Sequence, residues 1–183
     1  MEQTGGNKMF RYIIGEYTIT PRHIASDEQF FNTLTEQTSK YLLIDDFPGY
    51  EDIFLKVTNL TSSDVFGIGL HGCSSELISI IPLSRNLILI GGGFSVHIID
   101  LQQGEQTAQF LFDREWFYWA TAVNEHILLI TNLSVKVLAF NGKVVSDYSM
   151  KYEIASFFIQ DKHLIVSLDD HSIWKATFDE LTT

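Results

Sequence analysis

The 183-residue sequence predicts an all-β fold assembled from repeated four-stranded antiparallel meanders, with one short helix near the N-terminus. Three observations carry the prediction. Apolar, β-branched runs recur along the chain, turns rich in Gly, Asn and Asp separate them, and the pattern returns at a constant interval.

The repeat is clearest in the second half. Asn86-Leu87-Ile88-Leu89-Ile90 leads through Gly91-Gly92-Gly93 to Ser95-Val96-His97-Ile98-Ile99, and His126-Ile127-Leu128-Leu129-Ile130 leads through Thr131-Asn132 to Ser134-Val135-Lys136-Val137-Leu138. A third copy runs from His163-Leu164-Ile165-Val166-Ser167 through Asp169-Asp170 to Ser172-Ile173-Trp174-Lys175-Ala176. The aligned Ser95, Ser134 and Ser172 lie 39 and 38 residues apart, a spacing that unrelated apolar runs do not keep. Each copy reads as two strands joined by a tight turn.

Further strands flank these hairpins. Leu77 to Ile81, Tyr118 to Val123 and Ile154 to Ile159 precede the three copies, while Gln106 to Phe112 and Val144 to Ser149 follow the first two. Asn141-Gly142 reads as a two-residue turn with positive φ at its centre, which Asn and Gly tolerate. Four strands about every 40 residues are the signature of propeller blades, and residues 76–180 resemble a β-propeller at that level. The Trp-Asp dipeptide and Gly-His pair of the WD-repeat family do not mark these blades. The resemblance is therefore architectural and implies no activity.

The first 75 residues are less regular and read as a degenerate fourth copy. Tyr41 to Asp45, Ile53 to Asn59 and Val65 to Leu70 are its strands, Phe47-Pro48-Gly49-Tyr50 is a turn, and Phe10 to Ile19 supplies another strand. Ser26 and Gln29 form a capping-box pattern ahead of Phe30, Phe31 and Leu34, which predicts a helix over Asp27 to Ser39. The expected organisation is a single domain over 1–183, irregular over 1–75 and blade-like over 76–183. Its sheets either close into a small four-bladed ring or remain an open half-propeller, whose bare flanks need the N-terminal segment, a twin subunit or a partner to cover them. A β-sandwich gives a similar strand spacing and is the alternative.

Lys and Arg total 12 against 23 Asp plus Glu, a net charge of −11. Such a balance repels phosphate backbones and anionic bilayers, so neither nucleic acid nor membrane is an expected direct partner. Met1 to Lys8 is polar, no apolar stretch reaches the length of a spanning helix, and Cys73 is the only cysteine. The expectation is a soluble cytoplasmic protein without an internal disulfide.

Candidate chemistry is sparse. Leu70-His71-Gly72-Cys73 sets an imidazole two residues from the thiol, but no orienting Asn or Asp is identifiable, and the pair reads as a turn beside a buried Cys. His23, His71, His97, His126, His163 and His171 are dispersed without metal-ligand spacing. His126 and His163 share one repeat position, which points to a common role at a strand start. Gly91-Gly92-Gly93 lacks the Lys-Ser or Lys-Thr and the following helix of a phosphate loop, and reads as a tight or bulged connection. No catalytic residue, cofactor site or metal site is expected.

Acidic residues gather in short clusters: Asp45-Asp46, Glu51-Asp52, Asp113 with Glu115, Asp169-Asp170 and Asp179-Glu180. Within Arg114-Glu115-Trp116-Phe117-Tyr118-Trp119, strand alternation sends Trp116 and Tyr118 to one face and Phe117 and Trp119 to the other. Aromatic rings beside charges have the composition of an interface hot spot. The candidate partner-binding residues are Asp45, Asp46, Glu51, Asp52, Asp113, Glu115, Trp116, Asp169 and Asp170. The expected function is a non-enzymatic protein-binding module for a basic protein, with a scaffold subunit or homodimer as the alternative. In size and charge the chain is similar in type to bacterial immunity proteins, a resemblance that implies a basic cytotoxic partner, nuclease-like, whose active site is occluded.

Overall fold

The computed structural model describes residues 11–74 and 77–182, and strands dominate it. Phe10, expected to open the first strand, lies outside the described residues. Tyr12–Ile14 (β1) and Tyr17–Ile24 (β2) form a hairpin, followed by the helix α1 (Asp27–Gln37). The Ser26 side chain accepts a hydrogen bond from the Gln29 N–H at 3.4 Å, satisfying one of the helix's orphan donors. The helix stops at Gln37, short of the expected Ser39, where Thr38 becomes extended and its hydroxyl donates to the Leu34 carbonyl.

Tyr41–Ile44 (β3), Glu51–Asn59 (β4) and Val65–Cys73 (β5) complete a five-stranded sheet in the order β1-β2-β4-β5-β3. This departs from the four-stranded meander expected of a degenerate copy, because β3 runs parallel to β5. Parallel pairing needs a crossover rather than a tight turn, and α1 supplies it between β2 and β3. Phe30 and Leu34 of α1 bury against Phe54 on the sheet's outer face. Gly69 makes room for them: a Cβ there would stand 2.7 Å from the Phe30 ring.

The next two sheets are four-stranded meanders. Ser79–Pro82 (β6), Leu87–Gly92 (β7), Ser95–Asp100 (β8) and Glu105–Leu111 (β9) form the first blade; Phe117–Val123 (β10), His126–Thr131 (β11), Ser134–Ala139 (β12) and Val144–Ser149 (β13) form the second. Among the described residues the third copy has three strands, Ile154–Gln160 (β14), His163–Leu168 (β15) and Ile173–Thr177 (β16). A short helix, α2 (Phe178–Leu181), follows β16, and Leu181 buries in the apolar layer between the second and third blades. No helix among the described residues is long and apolar enough to cross a membrane.

Turn chemistry differs from expectation at one hairpin. Only Gly142 takes positive φ, +81°, while Ala139 accepts from the Gly142 N–H and donates to the Lys143 carbonyl. The β12–β13 connection is thus a longer turn closed by a left-handed glycine, with a register shift at Val137/Leu138, in place of a two-residue turn. The two-residue turns with paired positive φ fall instead at Asn124-Glu125 and Asp161-Lys162. After each, a histidine Nδ1 meets a backbone carbonyl two residues back, His126 to Asn124 at 2.8 Å and His163 to Asp161 at 3.0 Å, the shared role their repeat position suggested.

The four sheets stack face to face. One apolar layer joins the first sheet to blade one through Ile19, Val57, Ile68, Ile88 and Ile90; a second joins blades one and two through Leu89, Ile98, Phe117 and Leu129; a third joins blades two and three through Leu128, Val137, Leu164 and Val166. The central strands β7, β8, β11 and β12 are buried almost continuously because each has a sheet on both sides. In β15 burial alternates, since only one face is covered. Among the described residues the sheets therefore form an open, propeller-like array, with α1 packed on one end and no element on the outer face of the third blade; neither a four-bladed ring nor a sandwich results.

Candidate partner-binding rim

In each blade, the turn between the second and third strands and the connection into the next blade emerge at the same end. Backbone bonds lace these ends together: the Phe117 N–H donates to the Gly93 carbonyl, Asn132 to Trp116, Ile154 to Asn132, and Asp169 to Glu153. The β3–β4 loop of the first sheet joins this rim where Pro48 packs against Gly93. That residue's φ is +53° and a Cβ on it would come within 2.3 Å of the proline ring. Gly91 and Gly92 lie in strand β7, and Gly91 leaves space for the Phe117 ring.

The topology thus brings all nine sequence-predicted partner residues to one end of the array, in two populations. Asp45, Glu51, Asp113, Asp169 and Asp170 are exposed. Asp46, Asp52 and Glu115 are instead engaged inside the protein, so their charges hold the rim's foundations. Trp116 is half-buried, edge-on to the exposed Phe94 with ring centroids 4.7 Å apart.

Beneath the rim lie two equivalent polar clusters. In blade one, Asp46 Oδ1 accepts from the buried His97 Nε2 at 2.8 Å and from the Ser95 hydroxyl at 3.3 Å, while Gln109 donates to Oδ2 at 2.6 Å. His97 Nδ1 faces Gln106 at 2.8 Å, and Phe47 lies edge-on to its ring. In blade two, Glu115 accepts from the hydroxyls of Ser134 and Thr131, and Lys136 Nζ lies 3.2 Å from Glu115 and 2.8 Å from Asp147. Burial alone would raise the Glu115 carboxyl, but the hydrogen bonds from Ser134, Thr131 and Lys136 outweigh it and hold the group below the ordinary glutamate value. At the exposed turn of blade three, the Ser172 hydroxyl and N–H donate to Asp170 and lower its carboxyl.

A third cluster lies on the first sheet. The buried Asp52 accepts at Oδ1 from His71 Nδ1 at 2.8 Å and from the Gly72 N–H at 3.1 Å, and the imidazole is flanked by Phe30 and Phe31. Asp27, Asp52 and His71 each offer a possible ligand atom within 4.8 Å of the others. Asp27 stands in the first turn of α1, where the helix dipole disfavours a cation. Cys73 takes no part in this cluster: burial first, then the Glu51 charge, pushes its thiol up to about 12, and Sγ donates to the Glu51 carbonyl at 3.3 Å.

Sequence alternation misplaced one aromatic pair. A bulge between Phe117 and Trp119 sends Phe117 into the layer with blade one and Trp119 toward blade three, against Phe157, and leaves Tyr118 exposed. The functional positions that sequence reading missed are the buried partners His97, Ser95, Ser134 and Lys136. Their signal was present in the repeat alignment, which places Ser95 with Ser134 and His97 with Lys136.

Fold and site together define an all-β, propeller-like array with an acidic rim. No protein-family model and no curated protein matches the chain. Among solved structures it is similar to BamB from Moraxella catarrhalis, at 13% identity and a TM-score of 0.49, covering 69% of this chain and 40% of that one. It is also similar to the computationally designed Ika4 protein, at 10% identity and a TM-score of 0.49, over 78% of this chain and 92% of that one. Hsv2 from Kluyvelomyces marxianus shows 12% identity and a TM-score of 0.48, over 70% of this chain and 45% of that one. The chain spans less than half the length of the BamB and Hsv2 chains.

Proposed function

We propose that this chain is a non-enzymatic, cytoplasmic protein-binding module that presents its acidic rim to a basic protein. The observation that carries the reading is the gathering of exposed Asp45, Asp113, Glu153, Asp169 and Asp170 at one end, with Arg114 and Lys151 among them. Carboxylates arrayed on one surface accelerate encounter with a cationic partner. Buried pairs hold the rim loops from below, so little ordering is left to pay for on binding. The sharpest version follows the immunity-protein resemblance: the partner is a basic, nuclease-like cytotoxic domain whose active site the rim occludes. The non-enzymatic reading is supported by Cys73, whose protonated, inward-bonded thiol is a poor nucleophile, and it calls on no cofactor.

The test is capture of partners from the native lysate on the tagged protein, washed at low and then raised salt, followed by binding kinetics with the partner recovered. A stoichiometric basic protein released by salt is expected, with association slowed about tenfold or more in the Asp45→Asn, Asp113→Asn, Asp169→Asn variant. Salt-resistant capture, or an unchanged association rate, overturns the reading. A second reading, a subunit of a larger scaffold, is favoured by the bare face of blade three, where Phe158 is 50% and Ile173 70% exposed.

A further inference from the structure

We propose that the bare face of the third blade is the contact between two copies of this chain, related by a twofold axis. The proposal rests on the scaffold reading and gives it a partner; it is independent of the acidic rim. The strand register assigns the side chains on this face. Leu164, Val166 and Leu168 of β15 point into the layer shared with blade two, so His163, Ile165 and Ser167 point away from it. Their cross-strand partners share that outward face: Ser156, Phe158 and Gln160 on β14, and Ile173, Lys175 and Thr177 on β16.

Two properties of this face select a second copy as its occupant. The first is charge. None of these nine side chains is acidic, although the chain has 23 Asp and Glu and a net charge of −11. Two such anions meeting elsewhere, above all rim to rim, would set carboxylates against carboxylates. Here the apolar Phe158, Ile165 and Ile173 of one copy would cover those of the other, with Lys175 on the face and the Glu180 carboxylate, held by Thr177, at its edge. A basic partner of the rim, by contrast, finds here only Glu180 at the edge, already engaged by the Thr177 N–H and hydroxyl.

The second property is the closure of the opposite end. Head-to-tail stacking would need the outer face of the first sheet, whose centre α1 already covers through Phe30 and Leu34, leaving Ile13 and Tyr41 exposed at its edges. The face-to-face arrangement buries this continuous three-stranded face in both copies at once, and an isologous contact of that kind stops at two. The edge strand β16 is short, five residues, and carries Lys175, features that discourage open-ended strand pairing.

The experiment is the mass of the full chain in solution, by light scattering across a concentration series, for the wild type, Phe158→Glu and Ile173→Glu. Both positions are half or more exposed, so the variants are expected to fold as the wild type does, which circular dichroism and the urea midpoint verify. The expected result is a dimer that persists in raised salt and becomes monomeric in both variants, while Asp113→Asn on the rim leaves it dimeric. A wild-type monomer overturns the proposal, and so does a dimer that survives both substitutions. A wild-type monomer recovered in a salt-resistant complex with a different protein would overturn self-association while leaving the scaffold reading standing.

Discussion

Lys136 holds in blade two the place that His97 holds in blade one. Each sits two residues after a buried serine that opens its strand, and each meets a carboxylate delivered by the loop that enters the rim, Asp46 for His97 at 2.8 Å and Glu115 for Lys136 at 3.2 Å. A repeated acid–serine–base cluster thus clamps successive rim loops onto the third strand of the blade beneath.

Lys136 is 5% exposed, so replacing it removes a buried partner and leaves Glu115 with its hydroxyl donors alone. Lys136→Met is expected to cost about 3 kcal/mol, the lower end of the range for breaking a buried pair, because Asp147 keeps some hydration. Adding Glu115→Gln should recover part of the loss. Urea unfolding measures both, and a loss below about 0.5 kcal/mol would show that the clamp contributes no more than a surface pair.

The Glu115 carboxyl is held below its ordinary value of 4.5. A lowered folded-state pKa contributes stability that is complete above the unfolded value and disappears as pH falls through the folded one. The advantage of the wild type over Glu115→Gln should therefore be full at pH 7 and shrink below about pH 4.5. Unfolding midpoints of the two proteins from pH 7 to pH 3 provide the check, and parallel curves would refute the assignment.

Cys73 has the opposite sign. Burial raises its thiol from 9.0 to about 12, so the folded state favours the neutral form, and stability tied to it is present below the unfolded value and lost as pH rises toward the folded one. At pH 8 the native protein should be inert to a thiol-modifying reagent and react stoichiometrically only after unfolding in urea. Rapid labelling of the native chain would sink this view of the thiol.

Much of this architecture is legible in residues alone. The runs Leu87–Gly92, His126–Thr131 and His163–Leu168 are apolar and β-branched, and local turn chemistry marks their ends, so strands and repeat emerge without tertiary knowledge. What sequence could not provide depends on distance along the chain. The parallel pairing of Tyr41–Ile44 with β5 is set by where α1 lays the chain down. The bulge that separates Phe117 from Trp119 answers to packing against two different sheets. The clamps join residues as far apart as Asp46 and His97, and the same clusters explain why acids that looked like surface turns are partly internal. The convergence of the remaining acids on one rim follows from the up-and-down order of the strands.

Because among the described residues each sheet shares its apolar layers only with its neighbours in sequence, with α1 on the first and no element on the outer face of the last, the array behaves as a short one-dimensional chain of coupled units. Its cooperativity is directional. Blade three has a single neighbour and three strands, so fraying starts there and travels inward, and the helix-sealed end is the last to melt. The part of the molecule most open to a binding partner is then also the part whose folding a partner would most stabilise.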